Sequence, residues 1–223
     1  MDARLISIII PALNEARGIG AALQALAPLR ARGHEVIVVD GGSEDRTREI
    51  AVALCDRLVV AQRGRAVQMN AGAGTARGDA LLFLHADTRL PPQADEEIFE
   101  SLKTHGWGRF DVRIEGRHWL LPVIAAAMNL RSRLTGIATG DQAIFVRREA
   151  FAGFPDIALM EDVAFSKAMK RRGPPACLRS RVLTSGRRWE SRGVLRTVAL
   201  MWRLRLLYFL GARPEALARR YER

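Results

Sequence analysis

The feature that most constrains the fold is a fourfold alternation of short apolar runs with helix-like segments over residues 5–104. The apolar runs lie at 6–10, 36–39, 58–61 and 80–84, and the first of them is rich in β-branched residues. Runs of this length and composition are typical of buried strands. Helices are predicted between and after them, at about 19–29, 44–55, 65–76 and 93–104. The alternation predicts an α/β fold with a mainly parallel sheet flanked by helices.

The pattern changes after Trp107. Residues 109–114 alternate polar and apolar side chains, which favours an antiparallel strand, and residues 140–147 predict one more strand. Further helices are expected at 119–130, 160–172 and 194–210. We therefore expect the sheet to be mixed rather than wholly parallel.

The positive charge is confined to the end of the chain. The 223 residues carry a net charge of +11. Residues 1–162 hold 19 basic and 21 acidic side chains, whereas residues 163–223 hold 16 basic and 3 acidic side chains. Such asymmetry favours a polyanion or an anionic membrane surface as partner, while a solvated Arg-rich tail is the simpler alternative. Within this region, the apolar helix 194–210 contains Arg196, Arg203 and Arg205. It predicts either an interfacial membrane helix or a helix packed on the domain or on a second subunit.

The expected location is cytoplasmic. Cys55 and Cys177 have no metal-binding or redox spacing, which favours a reducing compartment over a disulfide scaffold. No signal peptide is recognisable, and no stretch of about 20 residues is free of charge, as a spanning helix requires. Attachment to the membrane is therefore expected to be peripheral, on its inner face.

Carboxylates follow three of the predicted strands. Glu15, Asp40 and Asp87 lie just after the first, second and fourth apolar runs. Ligands of parallel α/β sheets bind at the carboxyl ends of the strands, so these groups are expected to share a site. No GxGxxG follows the first strand and no GxxxxGK[ST] is present, which disfavours dinucleotide and P-loop sites. Acidic groups suit the donors of a base or ribose, or a hard cation that holds phosphates. Each alone could instead be an ordinary turn or helix-start residue.

Several motifs, in order, make the chain recognisable. They are SIIIPALNE at 7–15, VVDGGSEDRT at 38–47, GRA at 64–66, MNAG at 69–72, ARGD at 76–79, FLHAD at 83–87, GDQAIFVRR at 140–148 and MED at 160–162. Together they resemble the family 2 glycosyltransferases, and in particular a small bacterial "glycosyltransferase 2-like" subfamily. The resemblance covers about residues 5–190. It implies the GT-A fold, a Rossmann-like mixed, mainly parallel sheet, over residues 1–190, followed by a basic, amphipathic helical extension at 191–223.

The resemblance also implies an activity. Members of the family transfer a sugar from a nucleotide-diphosphate sugar with inversion, assisted by Mn²⁺ or Mg²⁺. The acceptor is unidentified and could be a sugar, a small molecule or a lipid-linked compound. Nucleotide-sugar binding is implied for Pro11, Ala12, Asn14, Glu15, Asp40, Ser43, Arg65 and His85. Metal binding is implied for Asp87, and catalysis is implied for Asp162 together with Glu161. Contact with the sugar or the acceptor is implied for Gly140, Asp141 and Gln142. A looser match implies diphosphate binding for Arg187, Arg188 and Trp189.

The chemistry of these groups fits the implied roles. A carboxylate at a helix start can remove a proton from an acceptor hydroxyl, and the like charge of Glu161 beside Asp162 raises a pKa. The same pair could simply be N-terminal helix charge that favours the dipole. His85 replaces the first carboxylate of the family's Asp-x-Asp motif, so metal dependence is expected but is not a necessity.

Two other functions compete with sugar transfer. A sugar-phosphate nucleotidyltransferase has a similar sheet, but it carries a Gly-rich basic run after the first strand, where this chain has Ala12-Leu13-Asn14-Glu15. A non-enzymatic basic protein that binds nucleic acid or membrane would use the positive tail. Aromatic residues are only 6% of the chain and no RNA-binding signature is present, so we expect no nucleic-acid partner.

Overall fold

The computed structural model describes residues 4–222, except for the side chains of Arg188 and Glu222. Its strands are β1 (Ile6–Ala12), β2 (Glu35–Asp40), β3 (Arg57–Val60), β4 (Ala80–Phe83), β5 (Thr88–Arg89), β6 (Trp107–Glu115), β7 (Phe145–Arg147) and β8 (Ala176–Ser185). Its helices are α1 (Ile19–Ala25), α2 (Ala27–Ala31), α3 (Thr47–Val52), α4 (Arg65–Thr75), α5 (Ala94–Leu102), α6 (Leu121–Thr135), α7 (Glu161–Lys170), α8 (Arg187–Arg192), α9 (Val194–Phe209) and α10 (Pro214–Glu222).

The eight strands form one sheet in the order β3-β2-β1-β4-β7-β6-β8-β5. The first four in this order are parallel to one another. Strand β7 is antiparallel to both β4 and β6, β8 is parallel to β6, and β5 is antiparallel to β8. The prediction of a mixed, mainly parallel sheet is thus confirmed.

Two apolar cores cover the two faces of the sheet. In β1, Ile8 and Ile10 belong to the core that includes α1 and α5, while Ile9 belongs to the core beneath α4 and α7. Successive side chains of a strand point to opposite faces, so a strand buried on both sides must be apolar throughout. This burial explains the unbroken apolar runs in the sequence.

Several predicted boundaries are wrong. The helix at 19–29 is two helices, because the chain turns at Leu26 and Pro28 lies in the first turn of α2. Helix α3 begins at Thr47, since the Ser43 hydroxyl accepts the Asn14 N–H at 2.9 Å instead of capping a helix. Residues 140–142 form a 3-10 turn with a Thr139/Gln142 capping box, so only Phe145–Arg147 of the predicted strand is strand.

The C-terminal helices pack on the rest of the chain. Leu204 of α9 and Leu217 of α10 are buried with Met160 and Val163, at the start of α7. Residues 191–222 therefore share a core with the region that contains the Glu-Asp motif. No helix in residues 4–222 combines the length and the apolar character needed to cross a bilayer.

Helix α4 lies unusually close to the sheet at Gly72. A Cβ atom added there would lie 2.5 Å from Ile9 Cγ2 and 2.9 Å from Val39 Cγ2. Side chains in a close-packed core cannot yield such space without strain. Gly72 therefore sets the distance between α4 and strands β1 and β2.

This packing predicts opposite effects for two alanine substitutions in α4. Gly72→Ala should lower the free energy of unfolding by about 1–3 kcal/mol through overpacking. Gly74 has open space around it, so Gly74→Ala should raise the same quantity by up to about 1 kcal/mol through helix propensity. Urea unfolding followed by circular dichroism measures both. A Gly72→Ala variant as stable as the parent would contradict the close approach.

Candidate active site

The loops that follow β1 and β2 are joined by hydrogen bonds. Asn14 adopts a left-handed conformation, with φ of 54°. Its N–H is donated to Ser43 Oγ, and its Oδ1 accepts the Glu44 N–H at 2.9 Å. The Glu15 N–H is donated to Thr47 Oγ1 at 2.8 Å. These bonds give Asn14 and Ser43 a structural part at the site, which the sequence motifs alone do not show.

Gln68 holds the ends of the same two strands together. Its buried amide Nε2 donates to the carbonyl oxygens of Ala12 at 2.9 Å and Val39 at 2.8 Å. A Cβ at Gly41 would lie 2.9 Å from this amide, so glycine is required there. Sequence reasoning missed Gln68, although it lies inside the stretch between the Gly-Arg-Ala and Met-Asn-Ala-Gly motifs.

Asp40 is fully buried at the end of β2. Its Oδ2 accepts the N–H groups of Gly42 and Ser43, both at 3.0 Å, and lies 3.8 Å from Arg48 Nε. Its Oδ1 is buried and has no hydrogen-bond partner among the described residues. A buried carboxylate oxygen without a donor is costly, so this atom is available for a donor on a ligand.

Six of the predicted site residues line one pocket at the carboxyl ends of the parallel strands. Its polar and backbone contributions come from Pro11, Arg65, His85, Gly140, Glu161 and Asp162. Apolar residues, among them Met69, Phe83 and Phe154, form the rest of its wall. The fold thus joins residues that are up to 151 positions apart in the sequence.

Two adjacent carboxylates lie at the start of α7. Glu161 is buried, and burial together with the charge of Asp162 raises its pKa, against the opposing effect of Arg65. The Arg65 guanidinium lies 3.5 Å from Glu161 Oε1. Burial works against the charged form of Arg65, but Glu161, Asp162 and Asp141 outweigh it and raise the Arg65 pKa. Arg65 therefore remains a cation in the pocket.

Asp162 is oriented by backbone groups. Its Oδ2 accepts the Gly140 N–H at 3.0 Å, and its Oδ1 accepts the Val163 N–H at 2.7 Å. These bonds fix the carboxylate at the pocket wall, between α7 and the 3-10 turn at Gly140–Gln142. A carboxylate oriented in this way can act as a proton acceptor for a group that enters the pocket.

His85 contacts the same turn. Its Nδ1 lies 3.3 Å from Asp141 Oδ1, and its Nε2 is buried without a partner among the described residues. A Cβ at Gly140 would lie 2.5 Å from this Nε2, which explains the glycine. Gln142, by contrast, is fully buried, and its amide bonds to Thr139 and Asn129.

Asp87 is exposed beyond β4. Its carboxylate is the kind of oxygen ligand that Mg²⁺ and Mn²⁺ prefer, so it fits a divalent cation. Within residues 4–222, no group of three or more His, Cys, Asp or Glu side chains is arranged to hold a metal. A cation at Asp87 would therefore need further ligands from a bound diphosphate or from water.

The predicted diphosphate residues have different surroundings. Arg187 Nη2 lies 3.7 Å from Glu15 Oε2, so it reaches the loop after β1. Trp189 is half-buried and packs against the larger core. The side chain of Arg188 lies outside the described part of the structure.

One further residue braces the site and was missed from sequence. Asn70 Nδ2 donates to the Phe154 carbonyl, and its Oδ1 accepts the Phe154 N–H, each at 2.8 Å. This pair of bonds attaches α4 to the segment that leads to Glu161. The Met-Asn-Ala-Gly motif contains Asn70, but nothing in the sequence names its distant partner.

The site therefore lies at the carboxyl ends of the parallel strands of an α/β sheet, and acidic residues stand at those ends. The family model of glycosyl transferase family 2 matches residues 7–155, which is more than half of the chain. The chain therefore belongs to glycosyl transferase family 2.

Curated relatives match part of the chain. A PGL/p-HBAD biosynthesis glycosyltransferase of Mycobacterium bovis is 40% identical over 97 residues, which cover 40% of this chain and 38% of that protein. An undecaprenyl-phosphate 4-deoxy-4-formamido-L-arabinose transferase of Aeromonas hydrophila is 32% identical over 111 residues, which cover 45% of this chain and 34% of that protein. The match thus spans little more than a third of the length of these relatives.

Solved structures share the fold. TarS of S. aureus in complex with UDP-GlcNAc superimposes with a TM-score of 0.63 at 20% identity, covering 81% of this chain and 58% of that one. Glucosyl-3-phosphoglycerate synthase of Mycobacterium tuberculosis, in complex with Mn²⁺, UDP and glucosyl-3-phosphoglycerate, superimposes with a TM-score of 0.58 at 20% identity. The match covers 81% of this chain and 71% of that one. At such low identity the likeness shows the GT-A fold alone.

Proposed function

We propose that this protein transfers a sugar, with inversion, from a nucleotide-diphosphate sugar to a hydroxyl group of an acceptor. The observation that carries the proposal is the single pocket in which Arg65, His85, Gly140 and the Glu161–Asp162 pair meet the end of β1. Membership of glycosyl transferase family 2 supports the reaction class. Solved structures of the same fold that hold UDP or UDP-GlcNAc support the donor class.

The donor is proposed to bind along the ends of β1 and β2. Asp40 Oδ1, buried and without a partner in the described residues, would accept an N–H or O–H of the nucleoside. Pro11, Ala12 and the Asn14–Glu15 turn would form the wall beside it. Arg65 lies beside Glu161 and Arg187 beside Glu15, and charge-assisted bonds from such guanidinium groups suit phosphate oxygens.

Asp162 is the proposed base. It would take the proton from the acceptor hydroxyl as the oxygen attacks the anomeric carbon and the bond from that carbon to the diphosphate breaks. Attack from the side opposite the leaving group inverts the anomeric centre. Glu161, whose pKa is raised by burial and by Asp162, is less suited to hold a negative charge. We therefore assign it a positioning part beside Arg65.

Asp87 is the proposed protein ligand of Mg²⁺ or Mn²⁺. A bound divalent cation supplies charge stabilisation to the leaving diphosphate. His85, which replaces a carboxylate of the family motif, would orient the Gly140–Gln142 turn through Asp141. The M. tuberculosis neighbour crystallised with Mn²⁺ and UDP supports metal use.

The protein is also proposed to bind an anionic membrane surface peripherally. Large apolar side chains are exposed on or beside α6 and α9, including Trp119 at 74% and Trp202 at 73%. Arg196 and Arg203 are exposed on α9 as well. Exposed aromatic and aliphatic groups with nearby cations are typical of interfacial helices. The A. hydrophila relative, named for an undecaprenyl-phosphate substrate, supports a membrane-proximal acceptor.

The base assignment predicts a selective loss. Asp162→Asn should lower the rate of sugar transfer by about 10²- to 10⁴-fold, because no proton acceptor remains, while nucleotide-sugar affinity stays within a few-fold. Asp156→Asn, the same change at an exposed position nearby, is the control and should leave both quantities unchanged. Calorimetric binding and product formation measure the two effects. Loss of donor binding in Asp162→Asn would mean that Asp162 has another role.

The metal assignment predicts that chelation stops transfer. Activity should fall to background in EDTA, return with Mn²⁺ or Mg²⁺, and require higher metal concentrations in Asp87→Asn, because one oxygen ligand is weakened. A titration of activity against metal measures this, again with Asp156→Asn as control. Full activity of the parent protein in chelator would refute the metal role of Asp87.

The membrane proposal predicts salt-sensitive binding to vesicles. The full chain should sediment with phosphatidylglycerol vesicles at low ionic strength and less so at high ionic strength. Leu206→Ser should weaken the binding about tenfold through lost apolar burial. Val60→Ser, at a similarly exposed apolar position on β3, should have no effect. Equal sedimentation of all three proteins would exclude α9 as the contact.

A further inference from the structure

Two arginines near Asp162 have buried N–H groups without acceptors. Arg131 lies on α6 and Arg205 on α9. Arg131 Nε and Nη2, and Arg205 Nε, are buried and have no hydrogen-bond partner in the described part of the chain. Burying an unpaired cationic donor costs free energy, so such groups call for a ligand or another compensating function.

The two guanidinium groups are close enough to act on each other. Burial, followed by the charge of Arg205, lowers the pKa of Arg131 to about 10, although Asp162 opposes the change. Burial also lowers the pKa of Arg205, against the attraction of Asp162 and Asp141. Arg131 therefore remains charged at neutral pH, as arginine side chains in proteins generally do. Two like charges are therefore held together in a desolvated place beside the proposed base.

Packing fixes this position from two sides. Helix α6 contacts the 3-10 turn, because Gln142 Nε2 donates to Asn129 Oδ1 at 3.4 Å. Helix α9 contacts the start of α7 through Leu204, which is buried with Met160 and Val163. Neither arginine lines the pocket proposed for the donor. Their electrostatic interaction with Asp162 places them near that carboxylate, on the side of α6 and α9.

A third arginine of the same region, Arg109, has its buried positive charge balanced by an ion pair. Arg109 is buried on β6, and its guanidinium pairs with Asp111, which also pairs with Arg133 at 2.7 Å. Arg131 and Arg205 have no ion pair within 4.0 Å among residues 4–222. The chain thus supplies a direct ion pair for Arg109, although its Nε also lacks a partner among the described residues, and supplies none within 4.0 Å for Arg131 and Arg205.

We propose that Arg131 and Arg205 form a binding subsite for a phosphate ester of the acceptor, whose free hydroxyl then reaches Asp162. This proposal rests on the proposed function, since it names the acceptor class of that same site. Phosphate oxygens accept several charge-assisted bonds from guanidinium groups and would satisfy the unpaired donors. The phosphate serves as a recognition group, and the hydroxyl is the nucleophile.

The phosphate ester could belong to a water-soluble compound or to a lipid. Leu130 and Leu206, each next in sequence to one of the two arginines, are 59% and 60% exposed. An acceptor with acyl chains would cover these side chains while its headgroup phosphate meets the arginines. The structure therefore favours a hydroxyl-bearing phospholipid over a soluble phosphate.

Calorimetric titration of the full chain tests the subsite with three probes at constant ionic strength. The probes are inorganic phosphate, glycerol 3-phosphate and monomeric dihexanoylphosphatidylglycerol. Arg131→Gln and Arg205→Gln should each weaken binding of glycerol 3-phosphate at least about tenfold, the worth of one charge-assisted hydrogen bond. Arg179→Gln, the same change at an exposed position on β8, is the control and should bind as the parent does.

Thermal unfolding without ligand separates a binding role from a structural one. Removal of an unpaired buried cation should leave the melting temperature unchanged or raise it. A fall in Arg131→Gln and Arg205→Gln beyond that of the control would mean that these arginines hold the fold, and would overturn the proposal. Unchanged phosphate affinity in both variants, or no saturable binding of any probe by the parent, would overturn it too.

The relative affinities of the lipid and of glycerol 3-phosphate identify the acceptor, and UDP binding tests the donor site separately. Tighter binding of the lipid than of glycerol 3-phosphate supports a phospholipid acceptor, and equal affinity supports a soluble one; both outcomes retain the subsite. UDP binding is measured in the same samples and should be unchanged in the variants. Phosphate binding without any UDP or nucleotide-sugar binding would refute the proposed donor but leave the subsite intact, and the reverse result would refute only the subsite.

Discussion

The arrangement of the site depends on how closely α4 approaches the ends of β1 and β2. Gln68 bridges the carbonyl oxygens of Ala12 and Val39, and this is possible because Gly72 lets the helix lie against Ile9 and Val39. Gly41 provides the matching space on the side of the strand. Since Asp40 follows Val39 directly, the same contacts that seat α4 also fix the buried carboxylate proposed to hold the nucleoside.

The charged side chains fall into groups that the fold places at different parts of the structure. The carboxyl groups of Asp40, Glu161 and Asp162 lie at the strand ends, and the Arg65 guanidinium lies beside Glu161. The positive segment at the C-terminus divides into outward-facing arginines on α9, such as Arg203, and the half-buried Arg205. Its net positive charge therefore has two proposed uses, attraction to an anionic surface and recognition of an anionic acceptor.

Much of the fold could be predicted from the sequence because the relevant signals are local. Strands buried on both faces are recognisable as unbroken apolar runs, and β1, β2, β3 and β4 were found within two residues of their ends. Strand β8 was missed, because Arg179, Ser180 and Arg181 interrupt its apolar residues and leave no uniform apolar run.

The sequence identified most residues of the site, but it predicted few of the contacts between them. Family motifs brought Arg65, His85, Gly140, Glu161 and Asp162 into view, and the structure places them in one pocket. The part of Ser43 in joining two loops and the clamp formed by Gln68 depend on partners 29 and 56 positions away. No local pattern encodes such partners. The pairing of arginines from α6 and α9 is likewise fixed only by tertiary packing.

The central claim is that the strand ends form a binding site for a nucleotide-diphosphate sugar. The most direct measurement is the melting temperature of the full chain against a panel of UDP- and GDP-sugars, with and without Mn²⁺, for the parent protein and for Asp40→Asn. A ligand that binds only the folded state raises this temperature with its concentration. The account predicts such a rise for at least one nucleotide sugar in the parent protein and a smaller rise in Asp40→Asn. No rise for any nucleotide sugar, or an equal rise in both proteins, would contradict it.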